Sequence, residues 1–156
     1  MLRQGAGRTP QGQAHVVELL DTFRAAERAG ADALARWIAV CEDPRLRGGL
    51  RVIRARDRGH AALAEARLRA LGGRPSATIG RDLAARCEVV GDPGVSDRSK
   101  LGMLLSRFPA GGDPPLAPLI RRVAGDVETR VLFEAIGEDE RVTLSWLRRM
   151  RDVLGS

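Results

Sequence analysis

Two long stretches at the start of the chain and one at its end repeat apolar residues every three or four positions, a period that only an α-helix turns into a continuous face. Over residues 13–41, Val16, Leu20, Phe23, Glu27, Ala31, Leu34 and Ile38 share that face, and Glu27 is its only charge. Leu46, Leu50, Ile53, Asp57, His60, Ala64 and Leu71 form a second stripe, closed by Gly72-Gly73 and Pro75, a strong helix stop. Between the two lies Glu42-Asp43-Pro44, where proline suits a first helical turn and not an interior. Helices of roughly 28 residues, about 40 Å long at 1.5 Å per residue, joined by so short a turn predict an antiparallel hairpin. The last stretch, residues 127–153, puts Phe133, Ile136, Glu140, Thr143, Leu147, Met150 and Leu154 on one face and matches the first two in length.

The middle of the chain is less regular. A short apolar stretch over residues 79–90 can be helical, Gly91-Asp92-Pro93-Gly94 reads as a turn, and the region suits a crossover connection. Ser96 or Asp97 can cap a short helix reaching Phe108. The breaker run from Pro109 to Pro115 then interrupts it, a further helical piece runs to about Ala124, and Gly125-Asp126 offers a stop and a new N-cap. The expected fold is therefore all-α, an antiparallel four-helix bundle with an interrupted third helix and a crossover connection. Residues 1–12, polar and glycine-containing with Arg3 and Arg8, read as a flexible basic tail, and residues 13–156 as one bundle domain.

Composition narrows the function classes. Apolar residues make up 44% and charged residues 29%, with 3% aromatics and no tyrosine, which removes a usual radical partner from redox chemistry. Cys41 and Cys87 have neither the number nor the spacing of a disulfide framework or a zinc motif, and read as reduced, buried thiols of a cytoplasmic protein. No apolar run reaches the roughly 20 residues that span a bilayer, so no membrane association is expected. The net charge of +6 invites a polyanion-binding reading, but the arginines are spread along every segment near acids and lack stacking aromatics, so nucleic acid is a weakly supported partner. No phosphate-binding glycine loop or nucleophile elbow is present, and only His15 and His60 could serve a hydrolase.

Asp57 and His60, at i and i+3 on an apolar face, are the residues that ask for a chemical explanation. Burying such groups costs several kcal/mol unless they are paired, hydrogen-bonded or bound to a metal. Facing helices of a bundle converge at mid-height, so Glu27, Asp57, His60 and Glu140 are expected to meet, and carboxylates with one imidazole suit iron, manganese or zinc. A neutral core histidine bonded to Asp57, Glu27 or a carbonyl is the plainer reading, as is pairing of Glu27 and Glu140 with inward arginines such as Arg54 or Arg130. Trp37 and Trp146 read as packing residues.

The stretch Asp57-Arg-Gly-His60-Ala-Ala-Leu-Ala-Glu-Ala-Arg-Leu-Arg-Ala-Leu-Gly-Gly-Arg-Pro75 resembles the second helix of the ferritin-like superfamily, in particular its rubrerythrin-type members. Ile136-Gly-Glu-Asp-Glu140-Arg-Val-Thr143-Leu-Ser-Trp146 resembles the fourth, where that family carries a Glu-x-x-His pair. The resemblance implies a bundle built around a two-metal centre with a Glu from each of two helices and Glu-x-x-His from each of the others. Here Asp57 replaces Glu, Thr143 stands in place of the second histidine, and the third segment supplies no carboxylate on a clean stripe, Asp113, Asp126 and Glu128 being breaker, cap and first-turn residues. At most four of six ligands remain, which points to a reduced, mononuclear site for iron, manganese or zinc. The alternative is a non-catalytic bundle of the same fold that self-associates, as a dimer, or binds a partner.

Overall fold

The computed structural model describes residues 9–155, which form six helices and no strand. They are α1 (Pro10–Val40), α2 (Pro44–Ala70), α3 (Arg81–Gly91), α4 (Asp97–Leu105), α5 (Ala117–Arg122) and α6 (Val127–Gly155). α1 begins three residues before the expected position, because Thr9 caps it through Gly12 N–H and Pro10 occupies its first turn. The part of the expected tail from residue 10 onward is thus helical, while Arg3 and Arg8 lie outside the described residues. Asp43 caps α2 by accepting from Arg45 N and Leu46 N, and its helix closes on Gly72, at φ 82°, a backbone conformation that favours glycine.

Contacts between named residues fix the direction of every long element. Gln13 donates to Leu71 O, Glu27 faces His60, and Arg47 donates to Cys41 O, so α1 and α2 run antiparallel over their whole length. Arg67 reaches Asp126, His60 reaches Asp139, and the Trp146 indole lies against Gly49, so α6 runs antiparallel to α2 and parallel to α1. The connection from residue 72 to residue 96 starts beside the beginning of α1, carries α3 along that helix, and delivers Asp97 to Trp37 and Cys41 near its end. From there α4 and α5 return alongside α6, separated by the broken segment 106–116.

Buried polar links hold these pieces in register. Asp21, 5% exposed, accepts hydrogen bonds from Ser76 N, Ala77 N and Arg24 Nε at 2.8, 2.7 and 2.8 Å, which ties the crossover to α1. Arg67 bonds both oxygens of the buried Asp126 and the hydroxyl of Thr129, tying the end of α2 to the start of α6. Asp97 accepts from Trp37 Nε1, Cys41 Sγ and Glu42 N, joining the α1–α2 turn to α4. Lys100, wholly buried, sits 5.7 Å from the Trp37 ring, a cation placed against an aromatic face.

The apolar core divides in two. One part gathers Trp37, Leu46, Leu50, Leu101, Leu147 and Met150 around the α1–α2 turn. The other gathers Leu20, Phe23, Leu68, Val123, Phe133 and Ile136 at the opposite end, with Phe23 and Phe133 in edge-to-face contact. The expected stripes supply most of both, except that Trp37 is fully buried where Ile38 is only half-buried, and Leu68 replaces Leu71 as the deep residue near the end of α2.

Replacing Asp21 by alanine strands two backbone donors and a buried guanidinium, and is expected to lower unfolding free energy by about 2–4 kcal/mol in urea titrations. A change within the scatter of such titrations would mean that the crossover is held by other contacts. Gly49→Ala is expected to destabilise by about 1–3 kcal/mol and to shift tryptophan fluorescence. The reason is that an added Cβ would lie 2.0 Å from the Trp146 ring and force it to move.

Candidate metal centre

Between the two apolar cores, at mid-length of three helices, lies a polar layer. α1 contributes Glu27, α2 contributes Asp57 and His60, and α6 contributes Glu140. One ligating atom from each of these four residues lies within 4.8 Å of all the others. The convergence follows from register: each residue occupies a stripe position, and the antiparallel α1–α2 and α2–α6 pairings set the same height for all three helices.

His60 organises the layer. It is 4% exposed, its Nδ1 is 3.2 Å from Glu27 Oε2 and 3.4 Å from Glu140 Oε1, and its Nε2 is 3.0 Å from Asp139 Oδ2. The two ring nitrogens therefore face different groups, an inner pair of carboxylates and one outer carboxylate that is half in solvent. The inner carboxylates take the imidazole and not an arginine: Arg130 approaches Glu134, and the buried Nε of Arg54 has no hydrogen-bond partner. The His60 ring nitrogens turn to Glu27, Glu140 and Asp139, and Asp57 lines a cavity together with Gly30, Glu140 and Thr143.

Two residues of this neighbourhood escape a reading of the stripes. Asp139 lies on the exposed side of α6, next to Glu140 in sequence, and reaches His60 around the edge of the helix. Only its place in the acidic run Glu138-Asp139-Glu140 hints at a role. Arg56, on α2, points its Nη1 at the Thr143 hydroxyl at 3.5 Å. Its guanidinium accordingly flanks the side of the cluster where the resemblance would place a second histidine.

Electrostatics follows from burial and crowding. Burial pushes the Asp57 carboxyl up to about 8, and the neighbouring charges of Glu27 and Glu140 add to the rise. Glu27 is raised as well, by burial first, against the opposing hydrogen bond from His60. For His60, burial alone would disfavour the imidazolium, but hydrogen bonds to Glu140, Glu27 and Asp139 outweigh it and raise the group to about 10. Without a cation, burial and crowding thus favour the protonated form of Asp57, and the surrounding carboxylates favour the protonated form of His60.

The two cysteines stand apart from this layer. Both are buried free thiols, and burial pushes Cys41 up to about 11 with the adjacent Asp97 charge adding to it, so neither thiolate forms readily. No helix among the described residues is long and apolar enough to cross a membrane.

Both shifts have the same sign for stability. Asp57 and His60 each hold their proton more tightly in the folded chain than in the unfolded one, so the folded state binds more protons between the two sets of values. With chelator present, the protein is expected to lose stability as pH rises from roughly 4 to 8 through Asp57 and from roughly 6.5 to 10 through His60. Asp57→Asn should flatten the lower part of that fall in thermal melts across pH. Unchanged slopes in this variant would show that Asp57 is not held protonated.

Comparison of the chain with protein-family models, with curated proteins and with solved structures finds no match.

Proposed function

We infer that the chain is a ferritin-like helical bundle whose polar layer holds a single iron, manganese or zinc ion through Glu27, Asp57, His60 and Glu140. The arrangement of His60 carries this reading. A metal-binding imidazole offers one nitrogen to the ion and donates the other N–H to a carboxylate, which fixes its tautomer. His60 has the inner carboxylates at Nδ1 and Asp139 at Nε2, the same division of roles.

The donor set also fits a cation by geometry and charge. Ligands around an ion at about 2.1 Å stand roughly 3–4.2 Å apart, so donor atoms already within 4.8 Å need only a small contraction. Three carboxylates neutralise a divalent charge, and a cation in turn removes the repulsion that raises Asp57 and Glu27. A single ion suits the cluster better than two, because Thr143 supplies no charge and Arg56 puts a guanidinium beside it. The ferritin-like reading of the fold is supported by the order of directions: an antiparallel α1–α2 pair, a crossover along its length, a broken return segment and α6 parallel to α1. A redox-active ion in such a site would supply oxygen or peroxide chemistry, and zinc would supply Lewis-acid activation of water. The protein's own part is to fix His60 by Asp139, to flank the ion with two apolar cores, and to give up the Asp57 proton when the ion binds.

Elemental analysis after loading with iron, manganese or zinc should give about one ion per chain in the wild type and near none in His60→Ala or Glu27→Ala. Asp139→Asn keeps every inner donor and is expected to weaken metal affinity about 10–100-fold. A wild type that stays metal-free after loading with all three would end this reading.

A second reading, self-association, rests on a separate observation. Val52 and Leu63 on α2, and Val142 and Val131 on α6, are all about half exposed, and the antiparallel pairing sets Val52 level with Val142 and Leu63 level with Val131. An apolar strip along the α2–α6 face suits a second copy of the chain. Light scattering should then show a dimer that Val52→Lys with Val131→Lys converts to monomer, and a monomeric wild type would dismiss it.

A further inference from the structure

The polar layer does not close the interior on the side of the α1–α2 turn. A cavity of about 190 Å³ begins at Asp57, Glu140 and Thr143 and extends among α1, α2, α3, the end of α4 and α6. Beyond those three residues its walls are mostly aliphatic, Ala33, Leu34, Leu50, Ile53 and Leu147 among them, and α3 covers it with Leu83, Cys87 and Val90. Leu83, Arg86 and Phe108, on the α3 and α4 side, are half-buried, so solvent approaches the cavity there. A hollow of this size, open in part on that side, leaves its aliphatic walls short of packing partners. Aliphatic cavities of roughly 150 Å³ stay dry and take up a benzene-sized molecule.

We propose that this cavity binds an uncharged organic molecule of about six to eight carbons, an alcohol, aldehyde or hydrocarbon, with its polar or reactive end against Asp57 and Glu140. The mostly aliphatic walls favour this class. A chain or ring supplies apolar contact to the aliphatic walls and a hydroxyl or carbonyl end can hydrogen-bond at Asp57 or Glu140, whereas a charged head would have to leave water for a hollow with few polar groups, Arg86 lying on its half-buried α3 side. One end of the occupant lies at the four-residue cluster, so it is placed as the substrate of whatever ion the cluster holds. That last step rests on the metal reading above; the binding itself does not.

The test uses 1-hexanol as probe, followed by saturation-transfer NMR and thermal shift on the full chain, with hexanoate and hexylammonium as charged counterparts. Wild type is expected to bind 1-hexanol in the range from millimolar to micromolar that a ligand of this size allows. Ala33→Leu and Val90→Phe each fill the cavity, and each should weaken 1-hexanol binding at least about tenfold while keeping the metal content of the wild type. Asp139→Asn, which lies outside the cavity lining, should weaken metal binding and keep 1-hexanol binding within about twofold. Two different filled variants guard against one of them failing to fold. Binding that persists undiminished in both folded variants would place the probe elsewhere and overturn the proposal, as would hexanoate or hexylammonium binding as well as hexanol. No binding of 1-hexanol by a wild type that holds its ion would overturn the cavity proposal and leave the metal reading intact. Binding by a wild type that takes up no ion would do the reverse.

Discussion

Everything in the interior is arranged around one imidazole held between opposed carboxylates. His60 is nearly inaccessible to water, and three carboxylates from two other helices stand within 3.4 Å of its ring nitrogens. A charged group in that position is tolerable only because its partners are there, and the partners are tolerable only because it is. The interaction therefore fixes the heights of α1, α2 and α6 relative to one another. A slip of one helical turn along any of them would leave a buried carboxylate or imidazole alone, at a cost of several kcal/mol. Apolar stripes would accept such a slip far more readily, since Leu against Leu is nearly as good one turn further on.

The same layer explains why the core comes in two parts. Trp37, Leu50 and Leu147 pack on one side of it and Phe23, Leu68 and Phe133 on the other, so each apolar half needs its own fastening at its far end. Arg67 with Asp126 and Thr129 fastens one, and Asp97 with Trp37, Cys41 and Glu42 fastens the other. Asp21 does similar work for the crossover, whose sequence has too few apolar residues to hold itself against α1. Single buried acids, each accepting several donors, substitute for packing where the chain is irregular.

Function, on the reading offered, grows from the unequal surroundings of the four cluster residues. Glu27 and Glu140 are engaged by His60, and His60 is braced by Asp139, while Asp57 faces a cavity and, without a cation, its carboxyl is raised to about 8. The most adaptable member is thus the one beside the open space.

Stripe periodicity marked the long helices and the polar residues on their inner faces, because a 3.6-residue repeat records which side of a helix faces the interior, and the stops at Pro44, Gly72-Gly73 and Pro75 marked the hairpin. Glu27, Asp57, His60 and Glu140 were legible for that reason: each breaks an apolar face, and a helix cannot hide which face a residue is on. Asp139 was not legible, since it belongs to the solvent side of α6 and reaches His60 only by curling around the helix edge. Nor was Arg56, whose approach to Thr143 depends on how α2 and α6 are spaced. The clasp of Asp21 on the crossover and the void beneath α3 are likewise absent from any local pattern. Sequence spacing carries the orientation of side chains within one helix, whereas hydrogen bonds between distant segments and the volume left unfilled between five packed helices exist only once their separations are set by tertiary packing.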